Sequence, residues 1–193
     1  MFIDGRKKLS KQEIRDFPFL QYPGTIHIIQ DYEQQIEVCQ HLKKQSVLGF
    51  DTETRPNFRK GQNNPVALLQ LATKTDAFLF QLKQQALSPY LSDILSSTQI
   101  LKLGVAVRDD IIALQKLRDF EAQGFVDLSD LAEEKGLQNF GLNALSVIFT
   151  GHRLSKNAKL SNWAAKTLKD KQIHYAACDA YVSLLIHEGL LKL

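Results

Sequence analysis

The apolar run Val47-Leu48-Gly49-Phe50 passes without a turn signal into Asp51-Thr52-Glu53-Thr54, so one β-strand must carry two carboxylates out of a hydrophobic core. Side chains two apart on a strand share a face, which sets Asp51 and Glu53 about 6–7 Å apart along it. Two acids so placed repel each other and resist burial unless a cation lies between them. Hard divalent cations such as Mg²⁺ prefer carboxylate oxygen, so the pair is a candidate metal site. A strand end turning into solvent also accommodates a D-x-E pair, and the residues downstream decide between the two.

The pattern around this strand alternates strands and helices. Ile26–Gln30 reads as a short strand, and Asp31 caps a helix with the stripe Tyr32, Ile36, Cys39 and Leu42. Val66–Leu71 and Ala77–Phe80 read as a hairpin across a Lys-Thr-Asp turn. Leu87–Leu95 is a helix, Ile100–Val105 a strand ending at Gly104, Val107–Leu117 a helix, and Phe125–Leu128 a last short strand. Helices closed by Gly136 and Gly151 follow, then one long helix from Leu168 to Leu191. This order predicts an α/β fold, a mixed sheet flanked by helices in a single domain. Residues 1–24 show no period and read as an extended N-terminal arm, leaving 25–193 as the domain.

With 193 residues, 44% of them hydrophobic, the chain can bury a full core. It has no apolar run of bilayer length and no signal-peptide core, which predicts a cytoplasmic protein without a membrane. Cys39 and Cys178 lack metal or redox spacing and are expected buried and reduced. The net charge of +3 permits a polyanionic partner without requiring one. Basic residues cluster beside the acidic motifs: Arg55, Arg59 and Lys60 directly after the Asp51 strand, and Arg153, Lys156, Lys159, Lys166, Lys169 and Lys171 before the long helix.

Within that helix, Tyr175 and Asp179 are four apart and share a face, in the small-residue stretch Tyr175-Ala176-Ala177-Cys178-Asp179-Ala180-Tyr181 that permits close approach to a sheet. Gly104 lets the chain turn beside the first carboxylates and brings Asp110 near. Asp109 and Asp110 face about 100° apart, and Asp110 shares the stripe of Leu114 and Leu117, so Asp110 is the inward acid. Asp51, Glu53, Asp110 and Asp179 thus form a set able to converge on two cations.

These three segments, Phe50–Glu53, Gly104–Asp110 and Tyr175–Tyr181, resemble the three motifs of the DEDD superfamily of 3′–5′ exonucleases. The likeness is to its tyrosine branch, which includes ribonuclease D and the exonuclease domain of the Werner syndrome protein. It extends through Ala67-Leu68-Leu69-Gln70-Leu71 and Leu160-Ser161-Asn162-Trp163, and covers about residues 26–192. The resemblance implies a ribonuclease-H-like fold and hydrolysis of a nucleic acid with a free 3′ end, assisted by two divalent ions, Mg²⁺ or Mn²⁺, with release of nucleoside 5′-monophosphates. It makes Asp51, Glu53, Asp110 and Asp179 the metal carboxylates and Tyr175 the residue that orients water. His174, five residues before Asp179, has the spacing of a sister branch that uses histidine; the surrounding sequence favours Tyr175 and leaves His174 at the surface. Arg55, Arg59 and Lys60 are expected to touch substrate phosphates; Trp163, beside Asn162, is a candidate to stack on a base, with packing in the core as the alternative reading. The rival reading is a non-catalytic nucleic-acid-binding module on the same fold.

Overall fold

The computed structural model describes residues 8–56, 64–82 and 87–193. Its centre is a six-stranded sheet of order β1-β4-β3-β2-β5-β6. The strands are β1 (Thr25–Ile29), β2 (Val47–Thr54), β3 (Val66–Ala72), β4 (Asp76–Gln81), β5 (Leu101–Gly104) and β6 (Phe125–Asp127). Only β3 runs against its neighbours: it is antiparallel to β2 and β4, whereas β1–β4, β2–β5 and β5–β6 are parallel. The hairpin read from Val66–Phe80 is therefore present, and the sheet is mixed, as the strand and helix order predicts.

Seven helices accompany the sheet among the described residues: α1 (Lys11–Asp16), α2 (Tyr32–Leu42), α3 (Pro89–Leu95), α4 (Arg108–Gln115), α5 (Leu128–Glu134), α6 (Leu142–Thr150) and α7 (Asp170–Leu190). The alternation along β2 assigns the faces. Leu48 and Phe50 pack into a core with Leu42, Leu91, Ile94 and Leu114, from α2, α3 and α4. Gly49, Asp51 and Glu53 face the other way, toward α7. A Cβ on Gly49 would lie 2.0 Å from the Ala180 carbonyl oxygen, so only glycine lets α7 seat this closely. Ala176, Ala177 and Ala180 are fully buried on the helix side of that contact. The small residues of both elements therefore bring Asp179 down onto the strand that bears Asp51.

Two local readings change. The N-terminal stretch, expected to be extended, contains α1, started by Ser10 and Glu13 in a reciprocal capping pair. Its flanks are held by tertiary contacts: Leu9 and Tyr22 are buried, Asn139 bonds the Leu9 backbone in both directions, and the Arg153 guanidinium lies 3.8 Å from the Phe19 ring centre while donating to the Phe17 carbonyl. In α2, the buried stripe is Gln35, Cys39 and Leu42, and Tyr32 is 45% exposed. The two stripes share Cys39 and Leu42 and part in the first turns, where Gln35 is buried instead of Tyr32.

Candidate active site

Asp51 and Glu53 reach the C-terminal end of β2, and Asp179 meets them from α7, where it is 4% exposed. One ligand oxygen from each of the three lies within 4.8 Å of the others. Asp110 arrives from the first turn of α4 and accepts a hydrogen bond from the Thr52 hydroxyl, beside but outside that trio. Asp109, its neighbour, is exposed. The position of α4 depends on a turn in which Ala106 adopts φ +57°, a strained conformation for a residue with a side chain. Asp127 holds this turn closed: its carboxylate accepts from the Ala106 and Val107 backbone N–H groups at 3.0 Å each and from Ser129 at 2.9 Å, the last as the cap of α5.

Burial and mutual repulsion govern the electrostatics. Burial first, then the Asp110 charge, raises Asp51 to about 7, while the Thr52 backbone N–H and Lys159 oppose the rise. Glu53 rises to about 9, through burial and then the charges of Asp51, Asp179 and Asp110. Asp110 rises to about 6, chiefly by burial, and Asp179 goes well above the ordinary carboxylate range for the same reason, with Asp51 adding to it. Carboxylates displaced this far are not each other's partners. They are a set that stays charged only with compensation and otherwise holds protons, and its all-oxygen donors suit a hard divalent cation.

Tyr175, one turn before Asp179, is half-buried and its hydroxyl hydrogen-bonds that carboxylate. Burial and the neighbouring acids push the phenol far upward, so it is neutral across the physiological range. His174 is exposed and outside the cleft, as the sequence predicts. The cleft, about 720 Å³, is lined by Asp51, Glu53, Tyr175 and Asp179, by Lys156, Lys159 and Leu160, and by Lys11 and Ile14 of α1.

The expected substrate contacts divide. Arg59 and Lys60 lie outside the described residues. Arg55 is exposed and lines a neighbouring cavity of about 670 Å³ instead of the acidic cleft. Of the two readings of Trp163 the fold shows core packing: it is fully buried among Ala67, Leu68, Leu79 and Ala176, and its ring centre lies 5.8 Å from that of Tyr175. It braces the tyrosine and offers no face to a base. Lys159 was not singled out by sequence, although its field reaches Asp51, Glu53 and Asp179. The signal available was its membership of the basic stretch before α7, which does not say which lysine faces the acids.

The sequence profile of the 3′–5′ exonuclease family matches residues 26–193. The mouse bifunctional 3′–5′ exonuclease/ATP-dependent helicase WRN is 32% identical over 187 residues, covering 91% of this chain and 13% of that protein. The crystal structure of the Nibbler EXO domain of Aedes aegypti superposes with a TM-score of 0.78 at 27% identity, over 86% of this chain and 87% of that one. Brucella melitensis NrnC with bound Mg²⁺ shares the fold at a TM-score of 0.72 and 20% identity, over 87% of this chain and 81% of that one. The chain spans only 13% to 27% of the length of the first full-length relatives it matches. With the profile match covering all but the N-terminal stretch, and with an acidic cluster at the end of the central strand, the chain belongs to the 3′–5′ exonuclease family.

Proposed function

We propose that this chain is a metal-dependent 3′–5′ exonuclease of the tyrosine branch, which removes nucleoside 5′-monophosphates from the 3′ end of DNA or RNA. The observation that carries the reading is the convergence of Asp51, Glu53 and Asp179 within 4.8 Å, in a cleft that also presents Tyr175 and three lysines. The donor set fits hard cations: it is all carboxylate oxygen, and its members are held so close that burial and repulsion raise each one. Asp51, Glu53 and Asp179 would hold the ions, with Asp110 completing the set. Two bound Mg²⁺ or Mn²⁺ ions would supply activation of water and stabilisation of the departing 3′-oxygen.

The chain's own groups do the rest. Tyr175, kept neutral and tied to Asp179, directs its hydroxyl into the cleft as an orienting hydrogen-bond partner for water rather than as a base. Trp163 fixes the tyrosine ring. Lys156 and Lys159 give the cleft the positive rim that a phosphodiester backbone requires. The exonuclease domain is residues 25–193, with 1–24 as an N-terminal arm whose helix α1 adds Lys11 and Ile14 to the cleft. A cytoplasmic location fits two buried free thiols, Cys39 and Cys178, and among the described residues no helix is long and apolar enough to cross a membrane.

The test is direct. Purified protein is incubated with 5′-labelled single-stranded DNA, single-stranded RNA and recessed duplex in Mg²⁺, Mn²⁺ or EDTA. A ladder shortening from the 3′ end, dependent on the cation and releasing 5′-monophosphates, is the expected result. Binding without shortening under every cation overturns the enzymatic reading in favour of a binding module.

A further inference from the structure

Gln70 occupies the middle of β3, a strand whose every residue is buried. It is 0% exposed, and neither its amide nitrogen nor its amide oxygen has a hydrogen-bond partner. Its neighbours Leu69 and Leu71 show what this strand otherwise carries. An alkyl side chain would sit there at less cost, since a buried amide without partners forfeits its hydrogen bonds to water and gains none.

The register explains the position. Gln70 is paired with Asp51 across the antiparallel β2–β3 ladder. Residues opposite each other on such a ladder project from the same face, with Cβ atoms about 4.5–5.5 Å apart. That face is the one under α7: Leu68, two residues before Gln70, packs with Ala176, and Ala72, two residues after it, clusters with Ala177 and Ala180. The amide is therefore enclosed between the sheet and the alanine stretch of α7, beside a carboxylate of the acidic cluster. Asp51 already accepts from the Thr52 backbone N–H, and a carboxylate has room for further donors.

We propose that Gln70 is a positioning residue: its amide N–H donates to the Asp51 carboxylate once a divalent cation is bound, and so fixes the orientation in which Asp51 holds that cation. The inference rests on Asp51 being a metal ligand, as given under the proposed function. Donors behind a ligating carboxylate orient it and raise the affinity of the site, and removing one typically weakens metal binding about 10–100-fold.

Gln70→Met keeps the length and approximate volume of the side chain and removes the N–H group. Mn²⁺ binding is measured by electron paramagnetic resonance on the purified chain without nucleic acid, alongside thermal melts in EDTA. A positioning role predicts a dissociation constant for Mn²⁺ at least about tenfold weaker in Gln70→Met, with the EDTA melt unchanged or raised because an unpartnered amide has gone. Equal affinity in the two proteins overturns the inference. So does a loss of affinity accompanied by a lowered EDTA melt, which marks a packing role. A wild-type protein that binds no Mn²⁺ at all defeats the metal-site reading itself, an outcome distinct from equal binding by both.

Discussion

Replacing Asp51 with asparagine should make the cation-free protein more stable while abolishing turnover. In the fold, burial and the Asp110 charge raise Asp51 from 3.8 to about 7. A group held above its unfolded value binds its proton more tightly in the folded chain. Its contribution is therefore neutral below about pH 4, becomes unfavourable as pH rises toward 7, and stays fully unfavourable above that. At about 1.4 kcal/mol per pH unit, ionised Asp51 costs the cation-free fold up to about 4 kcal/mol at pH 8.5. Asp51→Asn removes that charge and keeps the oxygen that accepts from the Thr52 backbone N–H. Allowing for the burial of the new amide, the gain should be about 2–4 kcal/mol, or roughly 5–10 °C in Tm for a domain of this size. Mn²⁺ should close the gap and then reverse the order as it saturates, since a cation at 1,000 times its dissociation constant stabilises the wild type by about 4.1 kcal/mol and the variant far less. Melts of both proteins in EDTA and in Mn²⁺, at pH 5.5 and 8.5, measure all four conditions. An Asp51→Asn protein no more stable than wild type in EDTA at pH 8.5 would refute the claim that these carboxylates are forced together against their own repulsion.

Other substitutions separate the remaining roles. Tyr175→Phe should lower the single-turnover rate by about 10²–10³-fold, the loss of one positioned hydrogen-bond donor, whereas His174→Ala, at an exposed position outside the cleft, should change it little; the reverse ranking would make the histidine the acting group. Lys159→Gln should weaken binding of single-stranded DNA, measured in Ca²⁺ so that no turnover intervenes, and flatten its log–log salt slope by about 0.7. An unchanged slope would remove Lys159 from the phosphate path. Gly49→Ala should destabilise the fold by about 1–3 kcal/mol or more in denaturant titrations, because its new methyl carbon would meet the Ala180 carbonyl at 2.0 Å. Wild-type stability in that variant would contradict the tight seating of α7 on β2.

The parts legible in the sequence are those with a local signature. The β3–β4 hairpin, the strand that ends in two acids, and the Tyr175–Asp179 pair one helical turn apart are each written in consecutive residues, and each stands where that spacing puts it. Asp110 is separated from Asp109 by the helix stripe it shares with Leu114 and Leu117 together with its match to the family motif, and the structure leaves Asp109 exposed and Asp110 bonded to Thr52. What was missed depends on distant contacts. The turn that positions Asp110 is held by Asp127, 17 residues further on, through an αL conformation at Ala106 that nothing in a Val-Ala-Val run announces. Helix α1 is short and lacks an apolar period, and the contacts of its flanks run to Asn139 and Arg153. Trp163 is polar at one atom and apolar elsewhere, and its sequence neighbours do not reveal that its ring closes against Tyr175.

The central claim is that carboxylates from β2 and α7 share a cation. Crystals grown with Mn²⁺ and measured at a wavelength where manganese scatters anomalously test it directly. An anomalous peak within coordinating distance of Asp51, Glu53 and Asp179 together is the expected result. No peak there at saturating Mn²⁺, with the three side chains turned apart, would contradict it.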